Sequence, residues 1–157
     1  MSEIIKAVWR NDIAYLEQNL NSSNVDERDS DKRTALFHAC IDNKIDVVKL
    51  LLKHEADVNL ADYVKWTPLF YAVQKNLKEL VMLLLQNNAF VNQIDIHGNT
   101  PLGKAVYEYD GDLAIVKMLL KAGADKNSVN NHGVSIWKLA NTIAYPKGKD
   151  RLLELLK

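Results

Sequence analysis

Apolar residues recur along this chain three or four positions apart in short runs separated by polar turns, the spacing of small amphipathic helices. Ile4, Ile5 and Val8 share one face, and Ile13, Leu16 and Leu20 share a second. Asn11-Asp12 between them reads as a break and helix cap. The pattern predicts two short antiparallel helices over residues 3–20. A second pair opens at Thr34, whose hydroxyl can accept an orphan backbone N–H. Its first helix runs from Ala35 to Asp42 and ends at Asn43, a residue tolerant of the left-handed conformation. Its second runs from about Ile45 to His54, with Val47, Val48, Leu50, Leu51 and Leu52 buried. Three consecutive leucines cannot share one stripe, so this helix needs cover on more than one side, which neighbouring units would supply.

The phrase opened by Thr34 returns at Thr67 and Thr100, each time after 33 residues, and Pro68 and Pro101 occupy the first helical position, where a missing N–H costs nothing. Val25-Asp26, Val58-Asn59 and Val91-Asn92 hold one further shared place. A fixed period of this size marks stacked supersecondary units that bury a common core. The approximate units are 1-28, 29-61, 62-94, 95-129 and 130-157, in a single all-α solenoid domain. The fourth carries two extra residues around Tyr107-Glu108-Tyr109-Asp110-Gly111, and insertions in such arrays go to loops, frequently on the binding face. The last begins at Ser135-Ile136-Trp137 and breaks at Pro146-Lys147-Gly148. It closes with an amphipathic helix over Asp150 to Lys157, with Leu152, Leu153, Leu155 and Leu156 inward, the cap that an array requires.

Composition narrows the function. The 157 residues are 48% hydrophobic and 25% charged, ordinary for a folded domain, and 20 basic side chains balance 20 acidic ones. A neutral chain has no global field drawing it onto phosphate backbones or anionic membranes, so neither nucleic acid nor membrane is expected as a partner. One cysteine, no signal-like start and no long apolar run point to the cytoplasm. Cys40 sits at a buried helix position and reads as a small core thiol rather than a nucleophile. His38, His54, His97 and His132 have no partners at metal-binding or catalytic spacing, and His97 and His132 read as exposed turn residues at matching positions. The acidic run Asp26 to Asp31 lacks the glycine and closing glutamate of a calcium loop. Lys147-Gly148-Lys149 lacks the upstream glycine of a phosphate loop, and with Arg151 forms a small solvated basic cluster. No catalytic residue, metal or cofactor is expected, and the chain is read as a non-enzyme.

Asp95-Ile96-His97-Gly98-Asn99-Thr100-Pro101-Leu102 and Gly123-Ala124-Asp125-Lys126-Asn127 closely resemble the repeat phrase of the ankyrin family. The resemblance covers nearly the whole chain, as about five units with degenerate terminal caps. It implies an ankyrin-repeat solenoid of stacked helix-turn-helix units with β-turn or hairpin fingers. Two departures stand out. The family's histidine is replaced by Phe37, Phe70, Gly103 and Lys138, which predicts aromatic packing in place of inter-repeat hydrogen bonds. Lys32 and Lys65 occupy the finger position of the usual glycine, at a cost of about 1 kcal/mol each if left-handed geometry is kept.

The resemblance further implies protein binding on a concave face made of fingertips and inner helices. Carried over by position, that face offers Trp9, Arg10, Asp31, Arg33, Asp42, Tyr63, Val64, Trp66, Lys75, Ile96, His97, Asn99, Tyr107 and Glu108, with Tyr109 and Asp110 from the insertion. It is rich in the aromatic residues that dominate interface hot spots. Trp137 takes an apolar Leu position and reads as core, and Trp9 could close the N-terminal cap. Because the array fills the sequence, binding is expected to be the action itself. Small free-standing ankyrin proteins include immunity proteins that neutralise a cognate toxin, so an inhibitor of that type is the most concrete expectation. The alternative is a general adaptor or regulatory scaffold with several weaker partners. A capped array is expected to be a monomer.

Overall fold

The computed structural model describes residues 2–142 and 148–157; Met1 and the predicted break at Pro146-Lys147 lie outside the described residues. Among those described are ten helices in five successive pairs. They are α1 (Glu3–Arg10) and α2 (Ile13–Asn19), α3 (Ala35–Ile41) and α4 (Ile45–Lys53), α5 (Pro68–Gln74) and α6 (Lys78–Gln86), α7 (Pro101–Tyr107) and α8 (Ala114–Lys121), and α9 (Ile136–Thr142) and α10 (Lys149–Leu156). The first helices of the pairs pack on one another in the order α1, α3, α5, α7, α9, and α6 packs on α8 behind them.

The start of each inner helix follows from its threonine. The side chains of Thr34, Thr67 and Thr100 are buried and accept hydrogen bonds from the N–H groups of Phe37, Phe70 and Gly103. Asn11, Asn43 and Asn76 adopt positive φ after the first three inner helices, which stops each helix and turns the chain back. The outer helices bury one stripe each: Val47, Val48 and Leu51 in α4, Leu80, Val81 and Leu84 in α6, Ile115, Val116 and Leu119 in α8. Leu50 and Leu52 are only half-buried, so cover on the two flanks of α4 is partial. Leu152 and Leu156 of α10 are buried, and Leu153 and Leu155 are half-buried against the core.

Fingers connect the pairs, and every finger repeats one device. The N–H groups of Asp29, Asp62, Asp95 and Asn130 donate to the carbonyls of Arg33, Trp66, Asn99 and Val134 at 2.9–3.1 Å. The side-chain Oδ1 of each of those four residues then accepts from the N–H groups two and four positions on. Lys32, Lys65, Gly98 and Gly133 sit at positive φ in register, so both lysines keep the left-handed geometry. The fingers are tight turns; isolated bridges pair Arg28 with Thr34 and Val129 with Ser135. Adjacent fingertips are zipped by backbone hydrogen bonds from Tyr63 N to Asp31 O at 3.1 Å, Ile96 N to Val64 O at 3.2 Å and Asn131 N to His97 O at 3.0 Å. At Gly98 the approach is so close that a Cβ would lie 2.5 Å from Asn131 Oδ1.

On the opposite loops, Asp26, Asn59 and Asn92 reach the next unit, accepting from the N–H groups of Asp57, Phe90 and Asp125 at 2.7–3.0 Å. The shared place noted in the sequence is thus a side-chain ladder between repeats. Among the described residues no helix is long and apolar enough to cross a membrane.

Candidate functional site

Most of the residues expected to form the site are exposed or half-buried on the fingers and at the ends of the inner helices. At the N-terminal end Trp9 is 44% exposed, which corrects the reading of it as cap filler; its ring stands edge-on to the His38 ring at 5.3 Å. Arg10 and Asp42 are exposed beside it. Lys44 ties this end together: its ammonium donates to the carbonyls of Val8 at 2.9 Å and Trp9 at 3.1 Å and to Asp42 at 2.8 Å.

The first and second fingers are joined by Arg33, which pairs with Asp31 at 3.6 Å and with buried Asp62 at 3.4 Å. Its guanidinium also lies 5.5 Å above Phe37. Trp66 is half-buried and stacks on Phe70 with ring centroids 5.2 Å apart and planes at 22°. Phe37 and Tyr71 pack at 6.1 Å. Aromatic packing therefore does take the place of the family's histidine in the middle repeats, as expected. Tyr63 is 60% exposed at its fingertip, Val64 is half-buried, and Lys75 reaches over Tyr71 at 5.8 Å.

Lys104, absent from the sequence-based set, is the hub of the far half. Its ammonium lies 6.0 Å from the Trp66 ring and 5.1 Å from the Tyr107 ring, and pairs with Glu108 at 3.0 Å. Tyr107 is 62% exposed. Ile96 and His97 are exposed, and His97 stacks on His132 at 6.1 Å. Asn99 is half-buried, donating to Asp95 and accepting from Asn130. Asp110 is exposed and its side chain accepts from the N–H of Asp112.

Two further readings are corrected. Tyr109 is not on the face: it is 3% exposed, and its hydroxyl donates to the Gly148 carbonyl at 3.1 Å. The insertion thus turns its second tyrosine inward to hold the closing helix, and burial with nearby Asp110 pushes its phenol above the usual value. Trp137 is 41% exposed rather than core, because α9 packs on α7 at one side and has only α10 at the other.

Sequence spacing also missed a buried contact between finger and helix. His38 Nε2 lies 2.7 Å from Asp29 Oδ2, nine residues earlier. Burial of Asp29 opposes its ionisation, but hydrogen bonds from the Arg33 N–H, His38 and the Asp31 N–H prevail and hold its carboxyl below the usual range. The chain reversal that brings these residues together follows from the finger device, so the turn aspartate was the available signal. Cys40 is fully buried, and burial pushes its thiol far up, which keeps it un-ionised and unsuited to nucleophilic attack. No three His, Cys, Asp or Glu among the described residues are grouped to hold a metal.

Chemically, this face offers aromatic anchors held by stacking and cation contacts within a mixed field of short ion pairs. Aromatic anchors beside balanced charge are the composition typical of protein–protein interfaces. A search of the curated proteins found no match. The family described as ankyrin repeats, in three copies, matches residues 4–95 and, overlapping, 64–130. The chain belongs to the ankyrin-repeat family, whose fold is in general a non-enzymatic protein–protein interaction module.

Proposed function

We propose that this chain binds one protein partner through its concave face and acts by covering that partner. The observation that carries the reading is the exposure of Trp9, Tyr63 and Tyr107 on the finger and inner-helix side, with Trp9 set edge-on to His38 and Tyr107 beneath the Lys104 ammonium. Large aromatic surface held out of the core is a liability in solution unless it is covered by a partner. Pre-positioned rings lose little freedom on binding, which favours a tight complex. Balanced charge, with Arg33, Lys75 and Lys104 beside Asp31, Asp42 and Glu108, sets register and approach rate rather than adhesion to a polyanion.

The most specific form of the proposal is an immunity-type inhibitor, a cytoplasmic monomer that neutralises a cognate toxin by blocking its active site. The second reading is an adaptor with several weaker partners. It is favoured by Met82 and Phe90, exposed apolar residues on or next to outer helix α6, which would give a second surface. Affinity capture with the wild-type chain and with a Tyr63→Ala, Trp66→Ala variant separates the two. One stoichiometric nanomolar partner, lost with the variant, supports inhibition, whereas a set of micromolar partners supports the adaptor. Undiminished capture by the variant refutes binding by the concave fingers.

A further inference from the structure

We infer that a hollow over Gly103 is the anchor point of the concave face and takes a large apolar side chain of the partner next to a carboxylate. The inference rests on the concave-face reading above and adds which part of a partner is gripped and with what chemistry. Gly103 lies inside α7, in the register position that Phe37 holds in α3 and Phe70 in α5. Both phenylalanines are fully buried. Glycine is a poor residue for a helix interior, surpassed in cost only by proline, so its place there calls for a reason.

The backbone supplies none, since Gly103 is not among the residues at positive φ. Close packing supplies none either. A Cβ at Gly103 would lie 3.5 Å from Thr100 Oγ1 and 3.9 Å from Ile136 Cγ1, which are ordinary contacts. What the missing side chain does provide is space. A hollow of about 280 Å³ opens above it, lined by Asn99, Lys104, Tyr107, Asn130, Val134 and Leu139. That volume approaches the lower limit of pockets that hold small ligands, ~300 Å³, and admits one large side chain.

The lining defines the occupant. Val134, Leu139 and the Tyr107 ring give apolar walls. Asn99 and Asn130 are occupied with each other, Asn130 Nδ2 donating to Asn99 Oδ1 at 2.9 Å, and Asn99 Nδ2 donates to Asp95 at 3.1 Å. The walls therefore favour an apolar group. Lys104 is the single charged residue of the lining, and pairing with Glu108 uses one of its three N–H donors. Lys138 holds the register of Gly103 on α9 and is exposed, but it is not part of the lining. A carboxylate adjacent to the apolar side chain meets the Lys104 ammonium.

The test uses three short peptides as probes, acetyl-Glu-Phe-Glu-amide, acetyl-Lys-Phe-Lys-amide and acetyl-Glu-Ala-Glu-amide, titrated into the ¹⁵N-labelled chain and followed by NMR. The variants are Gly103→Leu, which fills the hollow with a better helix former, and Trp66→Ala. Thermal unfolding of Gly103→Leu checks that the variant is folded. The expected result is saturable shifts at Gly103, Tyr107 and Leu139 with the Glu-Phe-Glu probe, at least fivefold weaker binding of the other two, and loss of the response in Gly103→Leu. Equal binding of all three probes, or an unchanged response in Gly103→Leu, overturns the inference, as does the absence of any shift around the hollow. If shifts survive in Gly103→Leu but vanish in Trp66→Ala, the hollow fails while the concave-face reading stands. Saturable shifts confined to the outer helices count against both.

Discussion

Replacing Lys32 and Lys65 together by glycine should stabilise the array. Their backbones stand at φ 62° and 63°, a conformation that costs a residue with a Cβ about 1–2 kcal/mol. Glycine relieves this but loses more chain freedom on folding, an offset of about 0.5–1 kcal/mol. The net gain is about 0.5–1 kcal/mol per finger. Both side chains are exposed, and the hydrogen bonds that shape the fingers use only backbone atoms of these two residues, such as Lys65 N to Asp62 O at 3.0 Å. Nothing else of weight is removed. Urea unfolding followed by circular dichroism should show a higher midpoint with unchanged slope, together with a melting temperature raised by about 2–8 °C. The reverse change at Gly98 should cost more than the strain alone, because the Cβ of Gly98→Ala would meet Asn131 Oδ1 at 2.5 Å and Asn131 N at 2.9 Å. An unchanged or lower midpoint for the double glycine variant would mean that the left-handed lysines carry no net strain.

Three further outcomes are expected. Tyr109→Phe removes the hydroxyl bond to the Gly148 carbonyl and should cost about 0.5–1.5 kcal/mol, seen as faster hydrogen exchange across Lys149–Leu156 with little change in α1 to α4. Asp29 is held below its usual range in the folded state, so its contribution to stability is present above the unfolded value of about 3.9 and is lost as pH falls through the lower folded value. Asp29→Asn keeps the two backbone hydrogen bonds, as Asn130 does in the last finger, and acid-unfolding curves should therefore flatten below about pH 4. Cys40 should resist a thiol reagent at pH 8 in the folded chain and react at once in denaturant; labelling of the native protein would contradict its burial.

Much of the scaffold was readable from spacing. The threonine caps, the asparagine stops and the outer-helix stripes are local chemistry that recurs at intervals of about 33 residues, so successive central units restate the signal. Exposure was harder to read, because it depends on what stands beyond a residue rather than on the residue itself. Trp137 has the sequence context of buried Leu69, but a helix at the edge of the row lacks its neighbour's neighbour. Tyr109 sits in an insertion that in most arrays points outward, yet it turns in because α10 offers a carbonyl 39 residues away. Lys104 drew no attention as one lysine among many; its role comes from rings contributed by Trp66 in the previous finger and Tyr107 one turn on. The contact between His38 and Asp29 was hidden for the same reason, being made across a turn rather than along a helix face.

A protein partner held by the fingers and inner helices would leave its footprint in hydrogen exchange of the captured complex compared with the free chain. Added protection is expected at Tyr63–Trp66, at Ile96–Asn99 and in the C-terminal half of α7, with α4, α6 and α8 unchanged. Protection confined to α4, α6 and α8, with the fingertips exchanging as in the free chain, would contradict it.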